Sequence, residues 1–389
     1  MLVGTGGYED AAKPFFEQFE RQTGIKVALN LVPYQDRFNK IVTAGASNVP
    51  TYDVVRVDVI WVPQFVQAGW LEDLTGKFPE QLLRQITKST LDAVTVNGRL
   101  YGIPAFNSAK YFYYNEKMLR EAGFTRPPRT LDEFRAYARK LTRGSGANKI
   151  WGTVMSWVKD EALMVDWVIF TFAFPNARLF DEAGNPVFNT GAGVKALEYM
   201  VRLLREDKVV DPVSLTIHED EVNKAFLAGK AAMILNWEGT EPASRDPKQS
   251  RVVGQVRVGL IPAQPPVVSS TVLGPEYYSI MKTSRNKEAA LKWIEFMTTE
   301  DVQRTIFKRG GFFPIYDRLY RDPQLAKELP DFDKYGEQLK YAHNRPAVTR
   351  YTEVADAIIT ELHQALLGRK APQRALDDAA AKVRRVLGK

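Results

Sequence analysis

Between residues 8 and 57 the chain alternates between the hydrophobic period of a helix and that of a strand. Ala12, Phe15, Phe16 and Phe19 recur at helical spacing, Gly24 closes that run, and Ile25 to Val32 then reads as a strand. Phe38, Ile41, Val42 and Gly45 mark a second helix ahead of the apolar strand Tyr52-Asp53-Val54-Val55-Arg56-Val57. Strand and helix in alternation predict an α/β fold with a mostly parallel sheet covered by helices on both faces. Ligands of such sheets lie beyond the carboxyl ends of the strands.

The chain is 389 residues long, beyond the size at which one hydrophobic core usually stops growing, so two domains are expected. A second α/β unit is readable from helical patterns at 131–143, 161–172, 191–206 and 219–228, followed by the strand Ala231 to Asn236. Past Pro265-Pro266 come the strand around Tyr277-Tyr278, a helix at 286–299, a glycine-rich stretch from Arg309 to Pro314, and a mostly helical end. The segment before residue 124 is punctuated by the turn Asn97-Gly98, a Pro104-bounded strand, the aromatic run Tyr111 to Tyr114, and a helix closed by Gly123.

Composition excludes several function classes. No cysteine is present, which removes disulfides, thiolate metal sites and a Cys nucleophile. His218, His343 and His363 stand in separate segments without metal-ligand spacing, and no Gly-x-Ser-x-Gly elbow occurs, so neither a metal nor a cofactor is expected. Lys and Arg outnumber Asp and Glu by 53 to 46, but apart from Lys382-Val383-Arg384-Arg385 they are dispersed, which argues against nucleic acid as a partner. No apolar run reaches the roughly 18 residues of a membrane span.

Weak motifs in a fixed order run almost end to end: Thr23-Gly24-Ile25-Lys26-Val27, Tyr52-Asp53-Val54-Val55, Gln67-Ala68-Gly69-Trp70-Leu71, Leu100-Tyr101-Gly102-Ile103-Pro104, Tyr113-Tyr114-Asn115-Glu116-Lys117-Met118-Leu119, Ala225-Phe226-Leu227-Ala228-Gly229-Lys230, and Gly368-Arg369-Lys370. In these the chain resembles the extracellular solute-binding proteins of bacterial ABC importers, family 1, the carbohydrate and maltose-type receptors. The resemblance implies the two-lobed type II periplasmic-binding-protein fold, each lobe a mostly parallel sheet flanked by helices, joined by a multi-crossing hinge. Crossings are expected near 107–110, 262–266 and 310–314, giving an N-lobe of 1–108 plus 265–312 and a C-lobe of 109–264 plus 313–389. It further implies a non-enzymatic monomer that closes on a mono- or oligosaccharide between its lobes and delivers it to the transmembrane subunits of a permease. The expected location is periplasmic or cell-surface, the latter by a lipid anchor, after loss of a signal peptide that Met1-Leu2-Val3 does not resemble. Three other functions remain open: a receptor for an anionic polyol such as a phosphorylated glycerol or sugar, prompted by the basic balance and Arg350; a ferric receptor using Tyr277-Tyr278; and a glycoside-acting enzyme built on two carboxylates.

Sugar recognition needs aromatic platforms for C–H faces and planar polar groups for hydroxyl pairs. Trp237 with Glu238, after the strand ending at Asn236, is the foremost candidate, with core packing as the competing role. Asp58 and Trp61 follow the strand ending at Val57, where Asp58 also suits a helix N-cap. Tyr8 and Glu9 occupy the first strand-to-helix turn, Gly6-Gly7-Tyr8-Glu9, where an acid at a helix start is favoured in any case. Asn107 and Ser108 lie at the first crossing, Trp157 before the helix starting near Glu161, and Glu276 and Tyr277 after Leu273-Gly274-Pro275. Arg350 and Tyr351 precede the helix from Thr352 to Leu367, where the family places an Arg or aromatic toward the sugar and a surface ion pair is the other role for Arg350.

Overall fold

The computed structural model describes residues 1–4, 7–329, 331–346, 348 and 350–389, so Gly6 of the first turn lies outside the described residues. The chain divides into two compact units. The first comprises Met1–Ser108 with Gly274–Leu329; the second comprises Ala109–Leu273 with residues 331–346 and Arg350–Lys389.

In the first unit five strands form one sheet in the order Asn30–Val32, Leu2–Gly4, Val54–Asp58, Glu276–Ile280, Ile103–Phe106. Only Glu276–Ile280 runs against the others. The carboxyl ends Gly4, Val32, Asp58 and Phe106 therefore share an edge with Glu276, which opens the reversed strand and pairs with Asp58 and Phe106. Helices Gly7–Thr23 and Tyr34–Ser47 follow the first two strands, as the alternating pattern predicts. The second strand is shorter than the expected Ile25 to Val32, because its partner offers ladder positions only from Leu2 to Gly4. Phe16, Phe19, Trp293 and Phe296 pack ring on ring between the first helix and helix Lys287–Met297, closing one face of the core. Asn97 and Gly98 both take positive φ and turn the hairpin Thr95–Val96 to Arg99–Leu100, the backbone that an Asn-Gly pair favours.

The sheet of the second unit has the order Val256–Gly259, Tyr111–Asn115, Ala231–Asn236, Trp151–Thr153. Here the aromatic strand Tyr111–Asn115 is antiparallel to both neighbours, while Trp151–Thr153 and Ala231–Asn236 are parallel. Its first residue, Tyr111, faces Asn236, the last residue of the next strand. Helix Glu161–Phe172, apolar on every side and buried from Ala162 to Thr171, packs on helices Ala192–Val201 and Tyr351–Leu366.

Two expected boundaries shift. Residues 265–273 belong to the second unit, because Thr271–Val272 pairs with Ala342–His343 there and Ser269 donates its hydroxyl to the Ile261 carbonyl at 2.8 Å. Residues 313–329 belong to the first unit rather than the second: Phe313 bridges to Asn107, and the Thr87 amide donates to the Ile315 carbonyl at 3.1 Å.

Candidate functional site

Each sheet gathers polar and charged side chains at one end. In the first unit the end is marked by Gly4, whose missing Cβ leaves room for two guanidinium groups; a Cβ there would stand 3.0 Å from Arg37 Nη1 and 3.2 Å from Arg56 Nη2. Arg56 comes from the middle of strand Val54–Asp58 and Arg37 from helix Tyr34–Ser47, and both are buried. Arg56 Nη1 lies 2.6 Å from Glu9 Oε1 and its Nε 2.5 Å from Glu276 Oε2. Arg37 Nη1 donates to Glu276 Oε2 at 3.0 Å, and its Nη2 is also bonded to that carboxylate.

Burial alone would raise the Glu276 carboxyl, but the charges of Arg37 and Arg56 outweigh it and hold the group below the ordinary carboxylate value. Glu9 shares only Arg56 closely, and there burial wins and raises it. Around this lattice stand aromatic walls. The Arg56 guanidinium carbon lies 4.8 Å from the Tyr8 ring centroid, and that of Arg37 lies 5.2 Å from Tyr34 and 5.4 Å from Trp61. Tyr34 donates its hydroxyl to Asp58 at 2.8 Å, and Asp58 accepts the Ile60 amide at 3.2 Å as cap of the turn Val59–Trp61.

In the second unit, Lys110 sits just before strand Tyr111–Asn115 and Trp237 just after strand Ala231–Asn236, at the same end of the sheet. Lys110 Nζ is 2.8 Å from Asp166 Oδ1, 3.2 Å from Ser156 Oγ and 3.4 Å from Glu219 Oε1. Asp166 accepts the Trp157 indole N–H at 3.1 Å on its other oxygen. Burial pushes the Asp166 carboxyl up to about 6 against the pull of Lys110, while the carboxylates Asp166 and Glu219 outweigh burial at Lys110 and raise its ammonium. Trp237 is half-buried, with Glu238 half-buried beside it.

The sequence candidates separate by their place in the fold. Glu9, Asp58, Glu276 and the rings of Tyr8 and Trp61 converge at the end of the first sheet; Trp237 and Glu238 stand at the end of the second. Asn107, Ser108 and Tyr277 serve the first unit's frame. Asn107 spends its amide on Thr87, Thr90 and the Pro314 carbonyl, Ser108 accepts the Gly274 amide at 2.9 Å, and Tyr277 donates to the Thr90 carbonyl at 2.7 Å. With Tyr278 donating to Tyr8 at 3.0 Å, both adjacent phenols are engaged inside the core, which removes the basis for iron ligation. Trp157 is wholly buried, and Tyr351 is buried with its hydroxyl on Glu161 at 2.5 Å. Arg350 is exposed; its Nε donates to Glu353 Oε1 at 2.7 Å. His218 pairs with Asp160, His343 stacks on Phe172, and among the described residues no cluster of His, Asp and Glu is arranged to hold a metal ion.

Five charged residues central to these clusters, Arg37, Arg56, Lys110, Asp166 and Glu219, are absent from the sequence candidates. For three of them a signal existed: Arg56 in Val54-Val55-Arg56-Val57, Lys110 before an aromatic strand and Asp166 in Leu163-Met164-Val165-Asp166-Trp167-Val168 are single charges inside apolar runs, which are buried only when paired.

The end of the first sheet thus carries carboxylates and guanidinium groups already paired with one another, and the end of the second a half-buried indole. Residues 5–304 match the family model described as bacterial extracellular solute-binding protein. The chain belongs to that family, whose members bind solutes and are not enzymes. It is 25% identical to a probable ABC transporter-binding protein of Deinococcus radiodurans over 98% of this chain and 91% of that protein. Among solved structures it is similar to maltose-bound MalE3 of T. maritima, with a TM-score of 0.92 and 30% identity over 99% of this chain and 98% of the other. An ABC transporter solute-binding protein of Thermotoga lettingae bound with α-D-tagatose superposes with a TM-score of 0.87 and 26% identity, covering 99% and 98%.

Proposed function

We propose that the chain is the ligand-capturing subunit of an ABC importer and takes a neutral sugar or polyol, which it passes to the transmembrane permease. The observation that carries this reading is Trp237: an indole left half-open at a strand's carboxyl end while its N–H is bonded to Glu219 Oε1 at 3.3 Å and its carbonyl to the Tyr113 hydroxyl at 3.1 Å. An indole held at its N–H and its backbone while the residue stays partly exposed is suited to act as a stacking platform. The maltose and α-D-tagatose bound by the two similar structures are ligands of this chemistry.

Charge balance favours a neutral guest over the anionic polyol. In the first unit Arg37 and Arg56 are matched by Glu9 and Glu276, two positive groups against two negative. In the second, Lys110 alone faces Asp166 and Glu219. Every cation of these clusters already has a carboxylate, and Arg350, which prompted the anionic reading, is engaged on the surface by Glu353. A glycoside-acting enzyme lacks support on the same ground, since Glu276 is held ionised by two guanidinium groups and the two cluster acids with raised values, Glu9 and Asp166, are buried.

The protein acts outside the cytoplasmic membrane as a monomer, in free or lipid-anchored form, without nucleic acid; among the described residues no helix is long and apolar enough to cross a membrane. Calorimetry and thermal melting against mono-, di- and trisaccharides and linear polyols, maltose and D-tagatose among them, test the assignment. Saturable binding by at least one neutral compound, unchanged by phosphate, is expected. No binding across the panel, or binding only of phosphorylated compounds, overturns it.

A further inference from the structure

Lys110 is a wholly buried ammonium with no ligand-facing surface, in a unit whose neighbouring positions are aromatic and aliphatic. Packing at that point is served at least as well by an apolar side chain, because desolvating an ion pair offsets most of its attraction. What Lys110 does that an apolar residue cannot is reach Trp237 by two routes. Its Nζ lies 5.6 Å from the centroid of the Trp237 ring. It also stands 3.4 Å from Glu219 Oε1, the oxygen that accepts the Trp237 indole N–H. Asp166, in turn, holds Lys110 in place and is itself fixed by the Trp157 indole. Side-chain exposure rises along this series from 0% at Asp166 and Lys110 to 24% at Glu219, and Trp237 is half-buried.

We propose that Lys110 is the positioning residue of the stacking platform: through Glu219 and across the ring itself it locks the Trp237 indole in one orientation before ligand arrives. The inference rests on the receptor function proposed above. Its physical consequence is preorganisation. A rotamer-rich side chain that must be ordered on binding weakens association, and freeing one indole corresponds to about a 2- to 12-fold loss of affinity.

The test uses the full chain labelled with 5-fluorotryptophan, the Trp237 resonance being assigned from Trp237→Phe. Two variants disconnect the series by different means. Glu219→Ala removes the acceptor at a partly exposed position, and Lys110→Met with Asp166→Asn removes both buried charges together, so that neither is stranded. Glu219→Gln keeps an acceptor for the indole and serves as the conservative rescue. In unliganded protein both disconnecting variants are expected to shift and broaden the Trp237 line, and to weaken binding of the best neutral ligand of the panel by about 2- to 12-fold; Glu219→Gln is expected to stay nearer the wild type in both. An unmoved Trp237 line, or a moved line with unchanged affinity, overturns the inference. If the wild type binds nothing in the panel, the receptor function fails, while the fluorine line of unliganded protein still decides whether Lys110 orders Trp237.

Discussion

Arg56 and Glu276 stand on neighbouring antiparallel strands with Arg56 Nε 2.5 Å from Glu276 Oε2, and Glu9 closes on the same guanidinium from the first helix. Glu9 depends on this one buried cation, while Glu276 also has Arg37. Arg56→Met strands Glu9, and a buried carboxylate without its partner costs about 3–5 kcal/mol. The variant is expected to lower the midpoint of urea unfolding with an unchanged slope, and sugar binding should weaken with it; wild-type stability in the variant would show that the lattice contributes nothing.

Asp166 provides a pH signature. Its carboxyl is raised from 3.8 to about 6, so between those values the folded chain holds a proton that the unfolded chain has released. Stability from this group is therefore greatest below the unfolded value and declines as pH climbs from about 4 to about 6, by up to about 3 kcal/mol, and is flat above. Melting curves across that window should show the decline in wild type and its loss in Asp166→Asn.

Glu276 has the opposite sign. Its value is depressed, so the stability it contributes is complete above the unfolded value near 4.5 and disappears as pH falls through the lower folded value. Glu276→Gln should remove the part of the acid-unfolding transition that lies below about pH 4, followed by circular dichroism.

Trp237→Ala should separate binding from folding. Loss of the platform is expected to weaken the best neutral ligand at least about tenfold, since an aromatic contact contributes up to about 1.5 kcal/mol beyond its buried area. The melting temperature should fall less than for a fully buried tryptophan, because Trp237 is only part-buried. Arg350→Ala, by contrast, should leave affinity and stability within about 0.5 kcal/mol of wild type, as befits an exposed pair with Glu353.

Gly45 has a purely steric role. A Cβ there would lie 2.4 Å from Trp70 Cδ2, closer than any real contact, so Gly45→Ala must displace the indole. Overpacking of this kind costs about 1–3 kcal/mol, read as a lower melting temperature with the ligand affinity preserved.

What the residues reveal by themselves tracks local periodicity. The helices at Gly7–Thr23, Tyr34–Ser47 and Glu161–Phe172 and the strand Ala231–Asn236 are legible because apolar spacing sets them directly. The unit boundaries at 265–273 and 313–329 are not, since they depend on ladder partners 71 or more residues away, as between Thr271 and Ala342. Trp237, Asp58 and Glu9 are recognisable from their places after strands. Trp157 and Tyr351 look the same in one dimension, and only the polar partners Asp166 and Glu161 reveal that they face inward. Arg37 and Glu219 lie on helix surfaces by pattern, and only the distant partners that neutralise them set them apart.

Because the cations at both strand ends are already matched by carboxylates, the neutral guest proposed above has no field to neutralise. Capture of that kind is indifferent to ionic strength. A receptor so built works alike in dilute and in saline surroundings, and no counter-ion need travel with its cargo.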